Sequence, residues 1–226
     1  MKLLLILVVA IATNYKIVYA EDGYCHSDVL TACKPGGTPD LANCHAKYGE
    51  INAVEFDLQS FVNKHITHSF QYLLLSSHFK NYEKSREGFT KLFKSLSDKT
   101  WNDAIDLIKY ITKRGGRMDF GSFRQDDALV QSAVRNEEQY ELYELESLAK
   151  ALDIQKSMAV EANRIHLVAN RDAEVMSHIE NTYVHKLRDS IRELAGHSND
   201  LKNLIASNKQ NSLHVYLFDE YLQKLY

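Results

Sequence analysis

Three cysteines, Cys25, Cys33 and Cys44, fall within one short N-terminal stretch, with His26 and His45 beside two of them. Thiols at such spacing support two chemistries. One is a disulfide that leaves one thiol over for a bridge to another chain, since three is odd. The other is a zinc site, for which the ligand types are right but the tight Cys-x-x-Cys spacing is missing. A third chemistry to look for is a two-metal centre inside a helical bundle. That centre needs several inward carboxylates and a Glu-x-x-His pair on one helix. None of the ten histidines has a glutamate three residues before it. Glu174, His178 and His185 have helical spacing compatible with a metal site, or with a solvated helix face. The acidic run Glu137, Glu138, Glu141, Glu144 and Glu146 reads as solvated surface.

The compartment bears on the cysteines. Lys2 precedes the apolar run Leu3 to Ala12, and Val18-Tyr19-Ala20 places small residues where a signal peptidase reads. The run is too short to span a membrane, and Asn14 and Lys16 follow it. Residues 1–20 are therefore expected to be a cleaved secretory signal, with cleavage after Ala20. Secretion into an oxidising compartment favours disulfides over metal. The remaining sequence has no stretch of membrane-spanning length. With 45% hydrophobic and 25% charged residues and a net charge of −3, it fits one soluble globular domain. Basic residues are scattered and balanced by acids, so neither a nucleic-acid nor a membrane partner is expected.

The elements that must position any site are helices. Both prolines, Pro35 and Pro39, lie in the Cys-bearing segment, so nothing after Leu41 breaks a long helix. Residues 21–48 lack periodicity and read as an extended, stapled arm. Ile51, Val54, Leu58, Phe61, Val62, Ser69, Tyr72, Leu73 and Ser76 then recur at three- and four-residue steps, predicting an amphipathic helix that ends near Phe79. A second helix runs from about Ser85 to Arg114 and buries Phe89, Leu92, Phe93, Leu96, Thr100, Ala104, Leu107, Ile108 and Ile111. Lys113 and Arg114 suit the dipole of its last turn, and Gly115-Gly116 offers a left-handed cap. About a dozen connecting residues follow, long enough for the chain to cross the bundle end to end. A third helix is expected over Ala128 to Ala169 and a fourth over Asp172 to Gly196. A short fifth carries Leu213, Tyr216, Leu217 and Tyr221 on its apolar side.

Lys113-Arg114-Gly115-Gly116-Arg117-Met118 resembles the ferritin signature closing the second helix. Tyr216-Leu217-Phe218-Asp219 resembles that of the final helix. Ile179-Glu180-Asn181-Thr182-Tyr183 and Glu193-Leu194-Ala195-Gly196-His197 are similar to the family's fourth helix. With the signal and the Cys-bearing arm, the chain resembles the secreted ferritins of insects and related arthropods. Leu92-Phe93-Lys94-Ser95-Leu96-Ser97-Asp98, Ala149-Lys150-Ala151-Leu152-Asp153 and the ending Phe218 to Lys224 look like their light-chain type. The resemblance implies an all-α, ferritin-like four-helix bundle over residues 49–226, with a long crossover and a short C-terminal fifth helix. It also implies a shell of twenty-four subunits, shared with iron-oxidising heavy chains and joined to them by disulfide, that stores iron as mineral.

Alignment on Gly115-Gly116 puts His65, Lys99, Thr100, Asp103 and Leu187 at the family's oxidation ligands and keeps Tyr72. The third-helix ligand falls in the ambiguous stretch Ala151 to Asp153. These replacements imply a non-catalytic subunit, with Lys99 pairing to Asp103 one turn on. A ferroxidase with rearranged ligands, or a secreted bundle that stores no iron, are the alternatives. The family's mineral-nucleating patch maps to Ser95, Asp98, Lys99 and Asn102, of which only Asp98 is acidic. Glu180 matches one carboxylate of the channel through which iron enters the shell, and Ser177 takes the place of another.

Overall fold

The structure is a computed structural model that describes residues 24–37, 40–121, 143–206 and 211–226. Residues 1–20, expected to be a secretory signal, most of the crossover and Glu137, Glu138 and Glu141 lie outside the described residues. The chain divides into two compact units, one ending at Ala46 and the other beginning at Lys47.

The first unit is not the fully extended arm expected from its lack of periodicity. It contains α1, Cys25–Ala32, none of whose residues is buried. Side chains sustain this helix locally: Thr31 donates to the Ser27 carbonyl, and Ser27 to that of Tyr24. Asp28 accepts from both the backbone and the side-chain amide of Asn43. A Cys25–Cys44 disulfide closes the loop, and Cys33 is a free, exposed thiol. None of the described residues of this unit is buried, and covalent closure stands in for packing among them.

The second unit is built from α2 (Ile51–Phe79), α3 (Glu87–Lys113), α4 (Glu144–Val168), α5 (Ala173–Ile179), α6 (His185–Ala206) and α7 (Asn211–Leu225). A π-helical turn, Glu180–Val184, joins α5 to α6 in one continuous rod. Among the described residues there is no strand. α2 packs along α3 and α4 along α6, while α2 and α4 touch across the bundle. Gly115 closes α3 in the left-handed region at φ 79°, and the Gly116 N–H returns to the Ile111 carbonyl.

Two ion pairs fix the direction of the crossover. Arg114, at the end of α3, bonds Asp172 beside the turn between α4 and α5. Glu144, at the start of α4, bonds Arg86 at the start of α3. The chain therefore leaves one end of the bundle and returns at the other.

Two boundaries and one buried face differ from the sequence reading. Tyr143 is extended (φ −74°, ψ 155°), so α4 starts at Glu144 and is not continuous with residues nearer Ala128. The fourth helix passes through Gly196 to Ala206, because buried Leu194 and Leu201 carry its core face across the glycine. On α7 the expected apolar side faces outward: Leu213, Tyr216, Leu217 and Tyr221 are each more than half exposed. Val215, Phe218 and Leu222 are buried instead.

Asp219 explains that choice of face. Nothing local caps α3 at Arg86, and the Asp219 carboxylate accepts the Phe89 N–H at 3.0 Å from across the fold. A carboxylate there satisfies an orphan donor and suits the positive helix end. Gly88 permits the approach, since a Cβ would lie 2.0 Å from the Asp219 carbonyl oxygen. Asp219→Ala is expected to cost about 1 kcal/mol and to raise hydrogen exchange across α7 while α2 stays protected. Asp219→Asn, still a capping acceptor, should restore most of that protection.

Candidate functional site

The site is a cavity of about 500 Å³ whose wall draws on every long helix of the bundle. α2 contributes His65, α3 Asp103, α4 Gln155, and α6 Lys186 and Leu187. His65 is buried because it continues the inward stripe of Leu58 and Phe61. Its Nδ1 lies 2.8 Å from the Phe61 carbonyl, which can only accept, so Nδ1 carries the proton. Phe61 and Tyr183 meet the ring edge-on at 4.3 and 5.5 Å between centroids. Burial pushes the imidazole pKa down to about 3, so the ring is neutral at physiological pH and its Nε2 holds a lone pair.

Asp103 does not pair with Lys99, as one-turn spacing on α3 predicted. Its Oδ1 takes Lys186 Nζ of α6 at 2.7 Å, while Lys99 is exposed. Asp103 is turned toward α6, where a lysine on the facing helix reaches it without bending back along its own. Burial raises the Asp103 carboxyl most, and Lys186 offsets part of that rise. Above it, Tyr183 donates to the Asp103 carbonyl at 3.2 Å.

Tyr72 is fully buried, donating to the Ala151 carbonyl at 3.3 Å and accepting from Gln155 Nε2 at 3.0 Å. Gln155 is the residue the sequence reading missed on the third helix. Ala151 is buried without a ligating group and Asp153 is exposed, whereas Gln155 faces the cavity. A polar residue embedded in the buried stripe Ala151, Ile154, Met158 and Ala162 was the available signal. Thr100 and Leu187 are both buried at the cavity wall.

The fold type implies a di-iron centre, and these residues do not fit one. Bridging two metals takes several carboxylates. The cavity presents one imidazole, an amide whose N–H is committed to Tyr72, and four carboxylates, of which Asp103 is held by Lys186, Asp106 by Lys109 and Asp189 by Arg188, while Glu193 accepts from Tyr226. Among the described residues, no group of three or more His, Cys, Asp or Glu could hold a metal ion.

The other candidates are scattered. Asp98 is exposed and takes the Lys94 ammonium one turn back on α3. Glu180 opens the π-helical turn, half-exposed, 3.8 Å from His166 Nε2. Ser177 accepts from Asn181. Glu174, His178 and His185 do not form a site. Glu174 accepts from Tyr110 and pairs with Arg114, and the His178 ring lies flat on Tyr110 at 3.8 Å.

Arg114 itself is no surface cation of a last helical turn. Its guanidinium is buried over the Tyr48 ring, at 4.0 Å from the centroid. It donates to both oxygens of Asp172 and to the Tyr48 carbonyl. This latch joins the start of α2, the end of α3 and the turn before α5.

The Ferritin-like domain family pattern matches residues 57–204. A ferritin light chain of Drosophila melanogaster is 40% identical over 210 residues, covering 90% of this chain and 91% of that one. A ferritin light chain of Trichoplusia ni is 41% identical over 212 residues, covering 88% and 90%. The crystal structure of Trichoplusia ni secreted ferritin matches with a TM-score of 0.83 at 39% identity, over 90% of this chain and all of that one. Matching the family pattern over residues 57–204 and such relatives along nearly its whole length, the chain belongs to the ferritin family.

Proposed function

We propose that this chain is a non-catalytic, light-chain-type subunit of a secreted ferritin shell that stores iron as ferric mineral. Fe(II) oxidation falls to heavy-chain-type subunits in the same shell of twenty-four. One observation carries the reading: Asp103, the cavity carboxylate at one of the positions aligned with the oxidation ligands, is bonded to the chain's own Lys186. His65, Lys99, Thr100, Asp103 and Leu187 then stand where iron-oxidising subunits have ligands. The light-chain names of the similar proteins support the same division of labour.

In this reading Met1 to Ala20 is removed during secretion, and exposed Cys33 is the thiol that bridges to a heavy chain. Glu180 lines a channel through which iron enters. Asp98 nucleates mineral only feebly, since Lys94 neutralises it.

Co-expression with a heavy chain, followed by purification of the secreted particle, tests these statements together. The expected product is a shell-sized particle whose light subunit starts at Glu21 and shifts on a non-reducing gel unless Cys33 is changed to serine. The chain assembled alone should consume Fe(II) and oxygen at the buffer rate, and the mixed shell far faster. A burst of oxygen-dependent Fe(II) oxidation by the chain alone would mean that His65 and Asp103 form a rearranged ferroxidase. A monomer in the presence of heavy chain would mean a bundle that no longer builds shells.

A further inference from the structure

We propose that Lys186 is a specificity-determining residue, a tethered cation that competes with divalent transition metals for a binding site formed by His65 and Asp103. The proposal rests on the reading of this chain as non-catalytic and says which side chain enforces it.

The pair itself is poorly placed to hold the fold together. Its side chains are 55% exposed at Lys186 and 20% at Asp103, and ion pairs so open to water contribute little to stability. Its position is more telling. The ammonium is 2.7 Å from the Asp103 carboxylate and lines the same cavity as His65. Behind burial, its charge also helps keep the His65 imidazole unprotonated. A positive charge thus holds the carboxylate of a cavity that also offers a neutral imidazole, the two donor types that hold transition metals.

His65 is preset for such a role. Its Nδ1–H is spent on the Phe61 carbonyl, which fixes the ring and leaves Nε2 as the only nitrogen able to ligate. Hydrogen bonding of the second ring nitrogen is the usual way a ligating histidine is oriented. Asp106, on the next turn of α3, adds a carboxylate to the cavity wall and is 3.5 Å from Lys109. Because Lys186 belongs to the same chain, its effective concentration at Asp103 is high and does not fall on dilution. An incoming ion must displace it while being repelled by it. Removing the charge and keeping the length should therefore expose a site of modest affinity, with water completing the coordination.

The test titrates the purified full chain with Co²⁺, which air does not oxidise under these conditions, and reads binding by calorimetry. Lys186→Gln is expected to bind one Co²⁺ per subunit at least tenfold more tightly than the native chain, and Lys186→Glu more tightly still. Adding Asp103→Asn to Lys186→Gln should return binding to the native level. Lys186→Met serves as a second neutral variant should the glutamine form fail to fold. Equal Co²⁺ affinity in the native and neutral variants would overturn the proposal, as would a gain that survives Asp103→Asn. Fe(II) oxidation by the native chain alone is a separate readout. It would sink the non-catalytic reading while leaving a Lys186-dependent Co²⁺ affinity standing.

Discussion

Replacing Arg114 with methionine is expected to remove about 3–5 kcal/mol of stability at neutral pH, the usual cost of stranding a buried partner charge. The measurement is the urea midpoint of the assembled chain at fixed subunit concentration, because assembly itself adds stability by mass action. The stranded group is Asp172, whose side chain is 3% exposed and receives two of the guanidinium's hydrogen bonds. Glu174 loses less, since it is 46% exposed and can turn to water. The Tyr48 ring loses its cation and the Tyr48 carbonyl a donor. Lysine cannot substitute, because a point charge cannot bridge both Asp172 oxygens and lie flat on Tyr48. Changing Asp172 to asparagine in the methionine background should recover part of the loss, which a double-mutant cycle would quantify.

The same latch sets a pH dependence. Burial alone would raise the Asp172 carboxyl, but Arg114 and the Val175 N–H outweigh it, so its pKa is lowered in the folded chain. A lowered carboxylate contributes stability above its unfolded value of about 3.9, and that contribution is lost as pH falls through the folded value. The gap between native and Arg114→Met midpoints should therefore be widest near neutrality and shrink below about pH 4. A constant gap down to strong acid would show that Arg114 acts through packing and not through Asp172.

Phe61→Ala is expected to cost about 3–5 kcal/mol by the same measurement, as large-to-small changes of buried aromatics do. Phe61 is fully buried, with its ring set against His65 and Tyr183. Its removal leaves a void beside the His65 ring, which keeps its bond to the residue 61 carbonyl but loses the wall holding it upright. Phe61→Leu preserves most of the volume and should cost under about 1.5 kcal/mol. Equal losses for alanine and leucine would point to a specific aromatic contact instead of filled space.

The helices were legible because long apolar periodicity leaves few alternatives. Ile51, Val54, Leu58, Phe61, Val62 and Tyr72 form the stripe read on α2, and all are buried. Only Leu73 was misplaced, at 38% exposure, with Leu75 taking the inward position. Gly115 ends α3 as its residue type requires. α7 was read on the wrong side because it has two apolar stripes, and hydrophobicity cannot rank them. The polar Asp219 decided between them by capping a helix distant in sequence. For Arg114 the sequence offered only a cation suited to the last turn of α3: its burial depends on Tyr48 and Asp172, which no local pattern brings together.

At the site, residue types alone determined that a Glu-x-x-His pair is missing and that Lys99, Thr100 and Leu187 offer neither a carboxylate nor an imidazole. Which cation neutralises Asp103 was decided only by the packing of α3 against α6, which selects Lys186 over Lys99. The same packing brings Gln155 to Tyr72. Periodicity reports which face of a helix is apolar, because burial acts on each helix separately. Polar partners are chosen by distances between helices, and those exist only once the bundle is folded.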